Sequence, residues 1–312
     1  MKKIIIVLTG GLGNQLFQMQ FAKHIQSKKN CKIYFDIALG KPRGENDTPD
    51  SFHFGMPGEV IKSRKSKSAS KVIGYILRSS YAPTRFEKIK LHRFFAKFFA
   101  STILSIHFRT FITALSPRDL GFDKGFDPNV KNLITMGYFQ TYLFSDKNVR
   151  EKNTFSICPK SDLIDFYKNL AEIEKPLIVH VRRSDYSSEE NFGLLGPKYY
   201  ERAIDEVLAQ IDSSKIWLFS DDPEIAITLL PERYQDRVRI IEEVDNSPAN
   251  TLEVMRFGTG YVVANSTFSW WAAFSSYLEN SVVAAPELWF KNMNPPNNLI
   301  PSSWIKIDSD FL

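Results

Sequence analysis

The chain has 312 residues, 43% of them hydrophobic and 24% charged, a balance that excludes a disordered chain and at this length suggests two domains. Lys and Arg number 40 against 35 Asp and Glu, a net charge of only +5 that implies no nucleic-acid partner. Cys31 and Cys158 stand far apart and outside any C-x-x-C spacing, which excludes a disulfide framework and offers no zinc site.

The β-branched run at 4–8 predicts a buried strand, and Gly10-Gly11-Leu12-Gly13 predicts a turn after it. That run is too short for a signal peptide or a membrane span, so a cytoplasmic location is expected. Leu16, Met19, Ala22 and Ile25 predict a helix over 15–27, followed by a strand over 33–35 that ends at Asp36. This is a βαβ start. Residues 41–59, rich in Pro, Gly and polar side chains, read as a long loop.

The next segment, about 60–112, is basic: residues 60–110 hold twelve Lys or Arg against one acid, Glu87. Within it Leu91, Phe94, Phe95, Phe98, Phe99, Ile103 and Ile106 recur at helical spacing. Two readings stand: a helix packed on the core with a solvated basic face, or one lying on an anionic membrane surface.

From about 159 the pattern becomes regular. Strands are expected at 177–181, 216–219, 238–241, 261–264 and 282–285, with helices over 197–211, 223–230, 248–256 and 268–277. Pro197, Pro223 and Pro248 suit first helical turns. Such alternation predicts an α/β fold, two Rossmann-like halves with parallel sheets and a cleft between them, in which ligands meet the carboxyl ends of the strands. The expected division is an N-terminal domain over 1–155, a second over 156–290, and a tail over 291–312.

The residues just after each strand are polar. Gly10, Gly11 and Gly13 allow close backbone approach, and the helix behind them offers free N–H groups to an anion. A dinucleotide fingerprint is disfavoured, because its third glycine falls at Leu16. After 177–181 come Arg182 and Arg183, costly to carry out of a buried strand unless an anion meets them. A guanidinium here can neutralise a diphosphate leaving group, the role a metal plays elsewhere. One of the two is equally suited to a structural pair, Arg183 with Asp185 or Asp221. His180 is either a ligand contact or a core histidine.

Asp221 and Asp222 fit either a metal or hydrogen bonds to a base or sugar, although Asp222 before Pro223 is also a plain N-cap. Ser266, Thr267 and Ser269 at a helix start can cap it or hold phosphate oxygens, with Phe268 among them. Trp270 and Trp271 read as packing in preference to a sugar platform. Asp308-Ser309-Asp310, the one D-x-D sequence, lies near the terminus and reads as solvated tail, so no metal and no other cofactor is expected.

Gly10-Gly11-Leu12-Gly13-Asn14-Gln15, His180-x-Arg182-Arg183-x-Asp185, Phe219-Ser220-Asp221-Asp222 and Asn265-Ser266-Thr267-Phe268-Ser269-Trp270-Trp271 together resemble the bacterial α-1,2-fucosyltransferases of glycosyltransferase family 11. The resemblance implies a GT-B fold, two Rossmann-like domains facing each other, with the acceptor on the first and GDP-β-L-fucose held mainly by the second. It implies inverting transfer to a galactoside 2-hydroxyl, on a glycan such as a lipid-linked repeat unit of a surface polysaccharide. On the same basis Arg182 contacts the diphosphate, and Gly11, Leu12 and Gly13 meet it from the other domain, with Asn14 near the reacting centre. His180 and Asp221 or Asp222 read guanine or ribose, and Ser266 to Ser269 bind phosphate or ribose. Arg183 and Asp185 support them. The resemblance offers Glu190 as general base, with Glu189, His24, Asp36 or no base as alternatives.

Overall fold

The computed structural model describes residues 2–28, 30–37, 44–45, 48–55, 58–61, 102–103, 105–106, 114–115, 132–135, 137–145, 161–183, 191–296 and 298–312. The chain divides into two compact units, residues 1–148 and 149–312. Most of the basic 60–112 segment lies outside the described residues. So do Asp185, Glu189, Glu190 and Cys158.

The first unit is built on a parallel sheet of β1 (Lys2–Val7), β2 (Cys31–Asp36), β5 (Glu59–Ile61), β6 (Ala114–Leu115) and β7 (Asn132–Thr135). Its order is β5-β2-β1-β7-β6. Ile4 to Val7 are buried, as a strand central to a parallel sheet requires. Helix α1 (Leu12–Lys28) follows β1. Leu12, Leu16, Phe17, Met19, Phe21 and Ile25 are buried on it, and so are Gln15, Gln18 and Gln20. A helix buried on so many sides must supply partners for its own amides. The 41–59 stretch, expected as plain loop, contains a small hairpin of β3 (Gly44–Glu45) and β4 (Thr48–Pro49), then a 3-10 turn at Asp50–Phe54.

The second unit opens with α2 (Asp162–Glu174), capped by Ser161, whose side chain accepts from the Leu163 N–H. Its parallel sheet comprises β8 (Leu177–Val181), β9 (Ile216–Ser220), β10 (Val238–Ile240), β11 (Gly260–Val262), β12 (Val282–Pro286) and β13 (Ile305–Ile307). The order is β10-β9-β8-β11-β12-β13. Helices α3 (Pro197–Leu208), α4 (Pro223–Thr228) and α5 (Pro248–Met255) each begin with their proline, as expected, and α6 (Thr267–Phe274) follows β11. Trp270 and Trp271 are fully buried core, and the Trp270 indole N–H donates to the Leu299 carbonyl at 2.9 Å.

Residues 291–312, expected as a tail with Asp308-Ser309-Asp310 solvated, belong to this unit. β13 pairs in parallel with β12, Ala284 opposite Ile305 and Pro286 opposite Ile307. Leu195 bridges to Phe311, and the Ser309 hydroxyl both accepts from the Leu288 N–H and donates to its carbonyl. Asp308 pairs with Arg202 at 3.2 Å. A three-residue strand of Ile-Lys-Ile is too short a pattern to announce itself, yet it closes the sheet edge. Removing residues 305–312 should therefore abolish cooperative thermal unfolding of the second unit. A truncated chain with an unchanged melting transition would contradict that role.

Candidate active site

In the second sheet the chain runs outward from β8 through β9 and β10, then returns to run the other way through β11, β12 and β13. The strand order therefore reverses between β8 and β11, and beyond the carboxyl ends of such a pair lies the usual ligand crevice of an open α/β sheet. His180, Arg182 and Arg183 leave β8 there, and Ser266 starts α6 after β11. Asp221 follows β9, the other neighbour of β8.

Asp221 binds both arginines differently. Its Oδ2 lies 3.1 Å from Arg182 Nη1, and its Oδ1 accepts from the Arg183 backbone N–H at 2.9 Å. One carboxylate thus fixes the side chain of one arginine and the backbone of the next. Arg182, the residue that the motif aligns with the diphosphate, is the one held by the acid. Arg183 Nη1, by contrast, is buried with no hydrogen-bond partner among the described residues. A buried guanidinium donor without an acceptor costs about 1–3 kcal/mol.

His180 is 5% exposed, and its Nδ1 is also buried with no hydrogen-bond partner among the described residues. Burial first, and then the Arg182 charge, pull its pKa down to about 3 against a smaller opposing pull from Asp221, so it stays a neutral imidazole. Its ring lies 6.1 Å from that of Phe268, centroid to centroid. Tyr200 is buried on α3 within reach of the Arg183 and Asp221 charges, and burial pushes its phenol pKa up.

Asp222 takes the plain role weighed for it: its side chain accepts from the Ile225 N–H at 3.2 Å as the N-cap of α4. Ser266 caps α6 through the Phe268 N–H, and Ser269 turns its hydroxyl back to the Ala264 and Ser266 carbonyls. Thr267 and Phe268 are half-buried, and no acid sits in the first turn of α6. The Asn265 amide donates to the Phe192 and Gly193 carbonyls, both at 3.1 Å, and so anchors the chain ahead of α3.

The first unit is connected differently: among its described strands the chain reaches the edge strand β6 before β7, which lies beside β1. Its order reverses between β1 and β7, and the glycine turn follows β1. Gly10 has φ of +79°, and a Cβ there would stand 2.9 Å from Asn14 Nδ2, so only glycine fits. Gln18 knots the turn: its Oε1 accepts from the Thr9 N–H at 3.0 Å, and its Nε2 donates to Thr9 Oγ1 and to the Gly137 carbonyl. Gln15 donates to the Gly10 carbonyl and accepts from the Ser51 N–H. Gly11 and Asn14 are half-buried, Leu12 and Gly13 buried, and the first turn of α1 carries no acid to compete with an anion. The buried glutamines were missed at the sequence level; their signal is amide side chains at 15 and 18 on an otherwise apolar helix.

Known proteins agree with this anatomy. The profile described as Glycosyl transferase family 11 matches residues 3–307. The chain is similar to the O-antigen biosynthesis glycosyltransferase WbnK of Escherichia coli, 25% identical over 96% of this chain and 99% of that one. It is also similar to an alpha-1,2-colitosyltransferase of Escherichia coli, 28% identical over 42% of this chain and 47% of that one. Among solved structures, the glycosyl transferase family 9 protein of Veillonella parvula aligns over 98% of this chain and 87% of its own, with a TM-score of 0.50 and 11% identity. At that identity the likeness is one of fold, the two-sheet architecture of the GT-B glycosyltransferases. With the family profile spanning nearly its whole length, this chain belongs to glycosyl transferase family 11.

Proposed function

We propose that this protein transfers L-fucose from GDP-β-L-fucose to the 2-hydroxyl of a galactoside, inverting the anomeric carbon and using no divalent metal. The observation that carries the reading is the arginine pair beyond β8, where Arg183 Nη1 is buried and unmatched. Negative charge grows on the diphosphate as the sugar leaves. Guanidinium groups already fixed in place stabilise that charge without reorganising. Arg182 keeps its geometry from Asp221 and in this reading contacts the diphosphate. His180, held neutral, adds a hydrogen-bonding nitrogen for the nucleoside without a third positive charge.

Asn14 donates from its side-chain amide to the departing group, and Thr267 and Phe268 border the nucleotide. In the transfer step the acceptor 2-hydroxyl gives its proton to a carboxylate, for which Glu190 is our candidate. The new C1–O bond forms as the C1–O(phosphate) bond breaks, and its electron pair leaves with GDP. The relative named for O-antigen biosynthesis supports a lipid-linked repeat unit as acceptor. The basic 60–112 segment would then meet the anionic membrane that carries the acceptor. No helix among the described residues is long and apolar enough to cross a membrane. A colitosyl donor is a second reading, favoured by the relative named for that sugar.

Purified protein should release GDP from GDP-fucose in the presence of β-galactosides, with an α-1,2-linked product and undiminished turnover in EDTA. No release with any acceptor, or an absolute Mg²⁺ requirement, would sink the reading; preference for the colitosyl donor would select the second one. Arg183→Gln should lower kcat by about 10²–10³ while leaving a cooperative fold. A rate within twofold of wild type would remove the arginine from the mechanism.

The neutral His180 makes a separate forecast. Its pKa is near 6.5 in the unfolded chain and about 3 in the fold, so between those values the unfolded chain binds the extra proton. Stability therefore falls as pH drops below about 6.5. His180→Gln should flatten the loss of Tm between about pH 7.5 and 5, and an unchanged slope would contradict the burial of a neutral ring.

A further inference from the structure

Gln140 lies in the loop after β7, the strand beside β1, and is 6% exposed. Its Nε2 donates to Asn14 Oδ1 at 2.9 Å across 126 residues of sequence. An asparagine amide is nearly symmetric in shape but opposite in polarity at its two ends. In the bond from Gln140 the Nε2 donates and Asn14 Oδ1 accepts, while Gln140 Oε1 is buried with no hydrogen-bond partner among the described residues. With Oδ1 engaged, Nδ2 is left over the glycine turn, at 2.9 Å from where a Cβ on Gly10 would stand, and with no hydrogen bond among the described residues.

The loop goes to some length to present Gln140. Phe139, immediately before it, has φ of +53°, a left-handed conformation that costs a bulky residue about 1–3 kcal/mol. That backbone is held by the Phe139 ring, stacked at 3.9 Å and 5° on Phe21 of α1, and by the Gln18 amide on the Gly137 carbonyl. Strain fixed by packing at both ends of a short loop is what turns one side chain toward Asn14 and away from solvent.

We infer that Gln140 is a positioning residue for transfer: it orients the Asn14 amide so that a donor, and not an acceptor, faces the developing negative charge. This rests on the proposed role of Asn14 and adds what fixes it. Reversed, Asn14 would offer Oδ1 to the diphosphate, a repulsive contact at the point where charge grows.

The variants are Gln140→Leu, which removes the donor, and Gln140→Glu, whose carboxylate accepts and so draws Asn14 Nδ2 toward itself. Both should lower kcat by about tenfold or more with KM for the donor within threefold, since the fault is one of orientation. Protonation restores a donor to Gln140→Glu. Its activity relative to wild type should rise as pH falls from 8 toward 5, whereas the Gln140→Leu ratio stays flat.

A readout independent of turnover is the Asn14 side-chain NH₂ signal in ¹⁵N-asparagine-labelled free protein, identified by its loss in Asn14→Ser. It should shift in both Gln140 variants, and in Gln140→Glu it should return toward the wild-type position at low pH. An unchanged Asn14 signal, or parallel pH profiles for the two variants, would overturn the inference. Inactivity of the wild-type enzyme with every donor would overturn the transfer reading instead, and the Asn14 signal would still decide whether Gln140 orients the amide. Should Gln140→Leu fail to fold, the pH-dependent recovery of Gln140→Glu decides alone.

Discussion

Two positive charges at the end of one buried strand are the constraint around which the second unit is arranged. A parallel strand covered on both faces is mostly apolar, and the residues that follow β8 are Arg182 and Arg183. Asp221, 38 residues further on, satisfies the side chain of one and the backbone of the other. A single carboxylate cannot satisfy both guanidiniums, and Arg183 Nη1 has no hydrogen-bond partner among the described residues. Folding alone gives no return for that arrangement. The anionic ligand proposed above would supply acceptors for that donor.

The first unit meets its own constraint with amides. A glycine turn at the mouth of a parallel sheet exposes backbone groups, and α1 answers with Gln15 and Gln18 from its buried face. Amides bind the turn without adding charge, so the positive end of α1 stays available to an anion. The two units thus use opposite chemistry after their switch points: formal charge beyond β8, and neutral dipoles beyond β1.

Much of this was legible in the sequence because its signals are local. The strand at 177–181 has the bounds its apolar run predicts, and three prolines mark three helix starts. The motif residues fall after strands, where an α/β sheet keeps its ligands. What was hidden depends on residues far apart in the chain. Which arginine Asp221 would hold, and what Gln140 would reach, follow from sheet order and not from spacing. β13 was hidden for a different reason, since three alternating residues carry too little pattern. Helix α2 was readable and was passed over: Ser161 precedes an apolar series of Ile164, Ala171 and neighbours at helical spacing.

Calorimetric titration of GDP into wild-type and Arg183→Gln protein measures the central interaction without requiring an acceptor or turnover. A charge-assisted hydrogen bond is worth about 1.5–3 kcal/mol, so affinity should fall roughly ten- to a hundredfold in the variant. Equal affinities for GDP in the two proteins would contradict an anion-binding role for Arg183.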